Sequence, residues 1–407
     1  MKIRIAMLWG GKTVEHEVSV ISGIQALMAM DTEKYECIPV YMTKDNDMYI
    51  GSKVGQIEAY RDIPELLKES TRVVMINDDG RFKLVQYPNK AFGGMQPVEF
   101  DMAFPVVHGT NVEDGALQGY LKTIGVPFVG PDVTSSAISM DKYITKAVLK
   151  EAGVPVLDAK VYTLADYSET ETMLDDIEKV VGYPVIVKPV NLGSSVGIGV
   201  AKDRNELIEV VDDAFMYATR VMAEHAISNL KEINCAVLGD ENEAIASECE
   251  EPLGSGQILS YEDKYVSGGG GKSGAAKGAA GSKGSAGSGM ANLSRKIPAD
   301  ISAEKREEIR ELAVKSFKAL GCNGVSRIDF MIDMDNDELY FNEINPIPGS
   351  LSFYLWEPAG VPYTELLDRM VQLALARARS EEAITYKFDT NILSTANLGG
   401  SKGSKTG

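Results

Sequence analysis

The sequence predicts an α/β chain of three successive sheet-bearing units, and three observations carry the prediction. With 407 residues, the chain exceeds the roughly 250 to 300 at which a single core stops growing, so two or three domains are expected. Short apolar runs alternate with helical stretches through its first part, as strands alternate with helices around a parallel sheet. Near the C-terminus, segments 327–332 and 339–345 read as two strands joined by the polar turn Asp333 to Glu338.

Taken in order, a strand over 3–8 leads through a turn at Gly10-Gly11 to a helix over 18–29 and a strand over 36–41. A strand over 102–107 and a helix over 115–123 follow, before Val126-Pro127-Phe128-Val129. The second unit begins near Ser136. Its elements are a helix from Met140-Asp141-Lys142 through Lys150, strands over 184–188 and 198–201, a helix over 204–218 and a strand over 221–224. The third takes over around Lys231, with strands over 233–238 and 243–248, a helix over 303–320 and the hairpin. The expected domains are therefore 1–139, 140–230 and 231–392, with a tail over 393–407. Residues 267–289 are nearly all Gly, Ala, Ser and Lys, and the tail has a similar composition. Such segments bury too little apolar surface to offset ordering entropy, so a mobile loop and a frayed end are expected.

A formal charge of −18 argues against a nucleic-acid partner, because phosphate backbones are held by basic fields. Mean hydropathy is −0.10, and no run approaches 18 apolar residues, so no membrane span is expected. The start runs straight into Gly10-Gly11, too short for a signal peptide, which points to a cytoplasmic address. Cys37, Cys235, Cys249 and Cys322 lack CxxC spacing and read as reduced thiols. His16, His108 and His225 have no partner at zinc spacing.

In the hairpin, side-chain alternation puts Arg327 and Asp329 on one surface with Glu343 and Asn345. Oxygen ligands on a stiff support suit Mg²⁺, which takes few protein ligands and is completed by phosphates and water. A solvated charged face is the competing reading. The run Val187-Lys188-Pro189-Val190-Asn191-Leu192-Gly193-Ser194-Ser195-Val196-Gly197-Ile198-Gly199 places a glycine-rich loop between two strands. It reads as a flap over phosphates with Lys188 as countercharge, or as a tight turn. Gly269-Gly270-Gly271-Lys272-Ser273 is not a Walker A loop, since no apolar strand precedes it. Asp333, Asp335 and Asp337 do not make an EF-hand, because Glu338 stands where glycine is needed and Ile344 where glutamate is needed.

Lys188-Pro189 through Gly199 and the hairpin with Asn342-Glu343-Ile344-Asn345-Pro346-Ile347-Pro348-Gly349 together resemble D-alanine–D-alanine ligases of the ATP-grasp superfamily. The same likeness extends to His108-Gly109 with Glu113-Asp114-Gly115, Gly10-Gly11 with Glu15-His16-Glu17-Val18-Ser19, Met140-Asp141-Lys142 and Tyr261-Glu262-Asp263-Lys264-Tyr265. The resemblance runs from Lys2 to about Leu375 in the right order. It implies an ATP-grasp fold of three domains, an N-terminal parallel-sheet α/β domain and an α+β ATP-binding part of two lobes. It also implies ATP and two Mg²⁺ or Mn²⁺ ions as cofactors, D-alanine as substrate, a role in supplying the peptidoglycan precursor, and a homodimer formed through the N-terminal domain.

Site residues carried over by the resemblance are Lys142, Lys188, Ser194, Ser195 and Lys264 for ATP, with Glu224 as adenine-linker acid and Glu232 as ribose binder. Asp329, Glu343 and Asn345 become metal ligands. Arg327 contacts the transferring phosphoryl group and the acyl oxygen, and the Gly349 N–H faces the oxyanion. Glu15 takes the first ammonium, with Val18 and His108 nearby. Glu15, Ser194 and Tyr265 form a triad that closes the site, and tyrosine at 265 goes with D-alanine as second substrate. Leu355 matches a residue that holds the second carboxylate, whereas Tyr354 stands where the family has serine. That departure leaves open an acceptor such as D-serine, D-lactate or another D-amino acid. The segment 267–289 is longer than the family's closing loop; it is expected to extend the lid or to be an inert insertion.

Overall fold

The computed structural model describes residues 2–89, 93–193, 196–253 and 295–385. Ser194, Ser195, Lys264, Tyr265, the segment 267–289 and the tail 393–407 therefore lie outside the described residues.

The first sheet has seven strands, β1 (Ile3–Gly10), β2 (Tyr35–Met42), β3 (Met48–Ile50), β4 (Thr71–Asp78), β5 (Arg81–Gln86), β6 (Val98–Phe100) and β7 (Met102–Pro105), in the order β6-β5-β4-β3-β2-β1-β7. Only β2, β1 and β7 run parallel. Strands β3 to β6 pair antiparallel, so the parallel sheet expected from the first part of the chain is extended by a meander. Ile5, Ala6, Met7, Leu8 and Trp9 are fully buried, as befits a central strand covered on both faces. Helix α1 (His16–Ala29) packs on one face, and α2 (Ala116–Thr123) leads to α3 (Val133–Met140).

Four antiparallel strands form the second sheet: β8 (Ala159–Thr163), β9 (Val185–Pro189), β10 (Gly199–Ala201) and β11 (Arg220–His225), in the order β10-β9-β11-β8. Helix α4 (Lys142–Glu151) precedes it. Helices α5 (Thr170–Val180) and α6 (Arg204–Tyr217) bury Leu174, Ile177, Leu207 and Val211 in one cluster with Val185 and Val221.

The third sheet is also antiparallel, in the order β14-β13-β12-β15-β16, from β12 (Leu230–Gly239), β13 (Ala244–Pro252), β14 (Arg295–Lys296), β15 (Gly324–Asp333) and β16 (Glu338–Asn345). Helix α7 (Ala303–Ala319) starts at Ser302, whose hydroxyl accepts the Lys305 N–H, and packs Ile309, Ala313 and Phe317 against this sheet. On the opposite face Ala236, Leu238 and Val325 enter the core of the first unit, while Asn234, Arg327 and Asp329 leave a polar stretch.

Helix α8 (Tyr363–Glu382) returns to the first sheet. Leu366, Leu367, Met370 and Val371 share a hydrophobic cluster with Ile5, Trp9, Leu351 and Trp356. Tyr35 donates to Asp368 at 2.7 Å, and Arg377 donates to the Gly130 carbonyl at 2.7 Å. The first and third units thus share one core. No helix among the described residues is long and apolar enough to cross a membrane.

Candidate active site

The hairpin sets the centre of the site. Arg327 lies opposite Asn345 and Asp329 opposite Glu343, with a bulge between Asp329 and Phe330. Because β12 and β13 continue the ladder, Glu343, Asp329, Asn234 and Glu250 form one row across four strands. Arg327 grips Asp329 through two parallel bonds, Nε to Oδ1 and Nη2 to Oδ2, both 2.7 Å. Asn345 Nδ2 donates to the same Oδ2 at 3.2 Å. Burial opposes the Arg327 charge, but Asp329 outweighs it and holds the guanidinium well above its ordinary range.

Lysines from the second unit approach this row. Asp141 caps α4 by accepting the Tyr143 and Ile144 N–H groups, which fixes Lys142 at the helix start. Lys142 Nζ donates to the Leu192 carbonyl at 2.6 Å and stands 3.6 Å from Glu343 Oε2. Lys188 Nζ, on β9, reaches across to Asn342 Oδ1 at 3.2 Å and donates to Glu224 Oε1 at 2.7 Å. Lys146 Nζ donates to the other Glu224 oxygen. Burial pushes the Glu224 carboxyl up, yet the charges of Lys188 and Lys146 prevail and hold it at about 2. Burial in turn holds Lys146 below its ordinary value, against the pull of Glu224. Both oxygens of Glu224 are thus engaged by lysines. Lys146 was missed by sequence reasoning. Its signal was a lysine on the buried face of α4 with Lys142, Thr145 and Leu149. Glu232 lies on the polar face of β12, two residues from Asn234.

At the other end, Glu15 occupies the N-cap of α1 and is 9% exposed. Its Oε2 lies where side chains at two glycines would collide: an added Cβ would come within 2.7 Å from Gly109 and 2.9 Å from Gly193. Gly193 immediately precedes the serine pair, so Glu15 lies against that loop. Val18 is buried in the first turns of α1. His108 uses both ring nitrogens on the protein, Nδ1 with the Ile347 carbonyl at 2.8 Å and Nε2 with Ser22 Oγ at 2.9 Å. Burial depresses His108 to about 4, and the Arg327 charge adds to the effect.

Beyond β16, Gly349 opens a turn in which Ser350, Leu351 and Ser352 all have left-handed backbones, with φ of 51°, 53° and 49°. Leu355 is fully buried in the core beside Trp356. Tyr354 lies under Arg295, whose guanidinium stands 3.8 Å from the ring centroid. Arg295 also pairs with Glu250 at 3.1 Å. This places an aromatic ring and a cation at the end of the carboxylate row opposite Lys142.

The donor set fits a hard cation only in part. Among the described residues no group of three or more His, Cys, Asp or Glu side chains gathers for a metal. Two carboxylates and one carboxamide suit Mg²⁺ when phosphate oxygens and water complete its shell. Asp329 meets Arg327 through a bidentate pair of hydrogen bonds, and an ionised carboxylate has further lone pairs with which to ligate a cation.

Residues 4–131 match the family model described as D-ala D-ala ligase N-terminus, and 148–278 with 287–372 match D-ala D-ala ligase C-terminus. The D-alanine--D-alanine ligase of Thermosipho melanesiensis is 35% identical over 391 residues, 96% of this chain and 98% of that one. Among solved structures, the D-alanine-D-alanine ligase from Coxiella burnetii has a TM-score of 0.73 at 29% identity, covering 94% of this chain and 96% of that one. The VanG D-Ala:D-Ser ligase from Enterococcus faecalis also has a TM-score of 0.73, at 30% identity, covering 92% of this chain and 100% of that one.

Proposed function

The chain belongs to the D-alanine–D-alanine ligase family, with the ATP-grasp fold, and from that premise we propose that it joins two D-alanines at the expense of ATP. The observation that carries the proposal is the convergence of Lys142, Glu343, Asp329 and Arg327 on one polar sheet face, with Glu15 against the glycine-rich loop.

Glu15 takes the ammonium of the first D-alanine and so orients its carboxylate. Lys142 and Lys188 neutralise phosphate charge, and phosphoryl transfer to the carboxylate then depends on positioning and charge neutralisation. Asp329, Glu343 and Asn345 would hold Mg²⁺, and the charge neutralisation that the ion would supply lowers the cost of phosphoryl transfer. Arg327 contacts the transferring group. The amine of the second D-alanine attacks the resulting acyl phosphate, phosphate leaves, and the Gly349 N–H with Arg327 faces the oxyanion. Ser194 and Tyr265 would close the site with Glu15, while Ser195 and Lys264 would add phosphate contacts and Glu232 would hold the ribose. The proposed assembly is a cytoplasmic homodimer, with domains 1–139, 140–230 and 231–392, that supplies a peptidoglycan precursor.

A second acceptor is favoured by one observation. Tyr354, stacked beneath Arg295, stands where the family has serine, so the groups that meet the acceptor differ there, and D-serine, D-lactate or another D-amino acid is the alternative acceptor. Turnover with a panel of acceptors, read by phosphate release and product mass, separates the two readings. D-alanine alone suffices in the first, and a second acceptor is required in the other.

A further inference from the structure

We infer that Glu113, acting with His108 and Ser22, is a positioning residue: the three clamp the loop that presents the Gly349 N–H, and so set where the oxyanion donor points. The inference rests on the reaction proposed above. The Ile347 peptide is held on both sides. Its N–H donates to Glu113 Oε1 at 2.9 Å, and its carbonyl accepts from His108 Nδ1 at 2.8 Å. The other Glu113 oxygen accepts the Gly109 N–H at 2.8 Å, which ties the clamp to the turn beside Glu15. Past Gly349, the Ser350 N–H donates to Ser22 Oγ at 2.8 Å, and Ser350 Oγ donates to Gln25 at 2.6 Å.

The proton order of this chain of bonds has one consistent solution. With Nδ1 donating to Ile347, a neutral ring must accept at Nε2. Ser22 O–H then donates to Nε2, and its oxygen is left to accept Ser350 N–H. Gly349 is thereby bracketed by anchors two residues before it and one residue after it. Both Ser22 and Gln25 belong to α1, the helix whose N-cap is Glu15. One helix therefore sets the distance from the ammonium site to the oxyanion donor. The left-handed backbone of Ser350 to Ser352 is one that L-residues leave when released, so the donor's direction depends on the clamp.

The test compares Glu113→Gln, Glu113→Asp and Ser22→Ala with the wild type. The measurements are kcat, KM for ATP and for D-alanine, and phosphate released per dipeptide formed. Glu113→Gln sets a carboxamide N–H against a peptide N–H and so removes one anchor. It is expected to lower kcat roughly 10- to 100-fold, the scale of an ångström-level misplacement, with KM for ATP within about twofold of the wild type because Lys142 and Lys188 are untouched. Phosphate per dipeptide should rise above one, because acyl phosphate that meets a misdirected donor is lost to water. Glu113→Asp keeps both acceptors and should recover part of kcat. Ser22→Ala should show the same signature if Glu113→Gln melts below the assay temperature. Wild-type kcat in the folded variants, or a loss of kcat with unchanged phosphate per dipeptide, overturns the clamp. A wild type that forms no product from D-alanine with any acceptor instead overturns the reaction itself.

Discussion

Around Glu224, two ammonium groups and one carboxylate share a site from which water is nearly excluded. Lys146 is 4% exposed, Lys188 6% and Glu224 0%. Deleting one member of a buried ionic group leaves its partners uncompensated, a loss of about 3 to 5 kcal/mol. Glu224→Gln is therefore expected to lower the free energy of chemical unfolding at neutral pH by that order, and a change under about 1 kcal/mol would contradict the ionic account. His108 carries the pH prediction. Its folded pKa of about 4 lies below the ordinary 6.5, so between these values the unfolded chain binds the extra proton. Stability from this group is complete above about pH 6.5, falls as pH drops from there toward about 4, and is then flat, a difference of about 3 kcal/mol. Unfolding of the wild type should show that extra loss relative to His108→Gln, and parallel pH profiles would refute it. Neither feature is legible from sequence: Lys146 and Glu224 are 78 residues apart, and the His108 partners come from α1 and from beyond β16.

At the scale of elements, the hairpin was the most legible part. Alternation over 327–332 and 339–345 anticipates that Arg327, Asp329, Glu343 and Asn345 share a surface, and the ladder pairs Arg327 with Asn345 and Asp329 with Glu343. Alternation does not anticipate the bulge after Asp329, which depends on how the twisted ladder meets β12. The meander β3 to β6 carried one usable signal, Asp79-Gly80. With φ of 53° and 81°, these residues join β4 and β5 through the two-residue turn that twisted hairpins favour. The hairpin bears a direct prediction: Glu343→Gln should cut phosphate release by roughly 100-fold by weakening Mg²⁺ ligation, the scale of losing one fixed electrostatic group. Wild-type turnover at saturating Mg²⁺ would remove Glu343 from the ligand set. The turn after Gly349 predicts the opposite sign for stability. Ser352 has φ of 49° and a buried hydroxyl with no hydrogen-bond partner among the described residues. A left-handed L-residue costs about 1 to 2 kcal/mol, which glycine avoids. Ser352→Gly should raise the thermal midpoint, and a drop would show that the turn is not strained.

Across the whole molecule, α8 closes the first core, and the loop beyond β16 is suspended from α1, so the site spans all three sheets. The sequence motifs singled out candidate residues for the site but not how the units are joined. Arg377 beneath Phe128, Tyr35 on Asp368 and Ile347 between Glu113 and His108 are contacts separated by more than 200 residues, and no local pattern encodes them. They matter to the proposed reaction because in-line transfer and attack by the second amine need Glu15, Lys142, Lys188 and the Gly349 N–H, in the roles proposed for them, held in one frame. The central claim is that this frame joins two D-alanines. Its most direct measurement is phosphate release with ATP, Mg²⁺ and D-alanine as the sole amino acid, with the product identified by mass. One D-alanyl-D-alanine per phosphate is the predicted result; no dipeptide from D-alanine alone, whether or not another acceptor restores turnover, would contradict it.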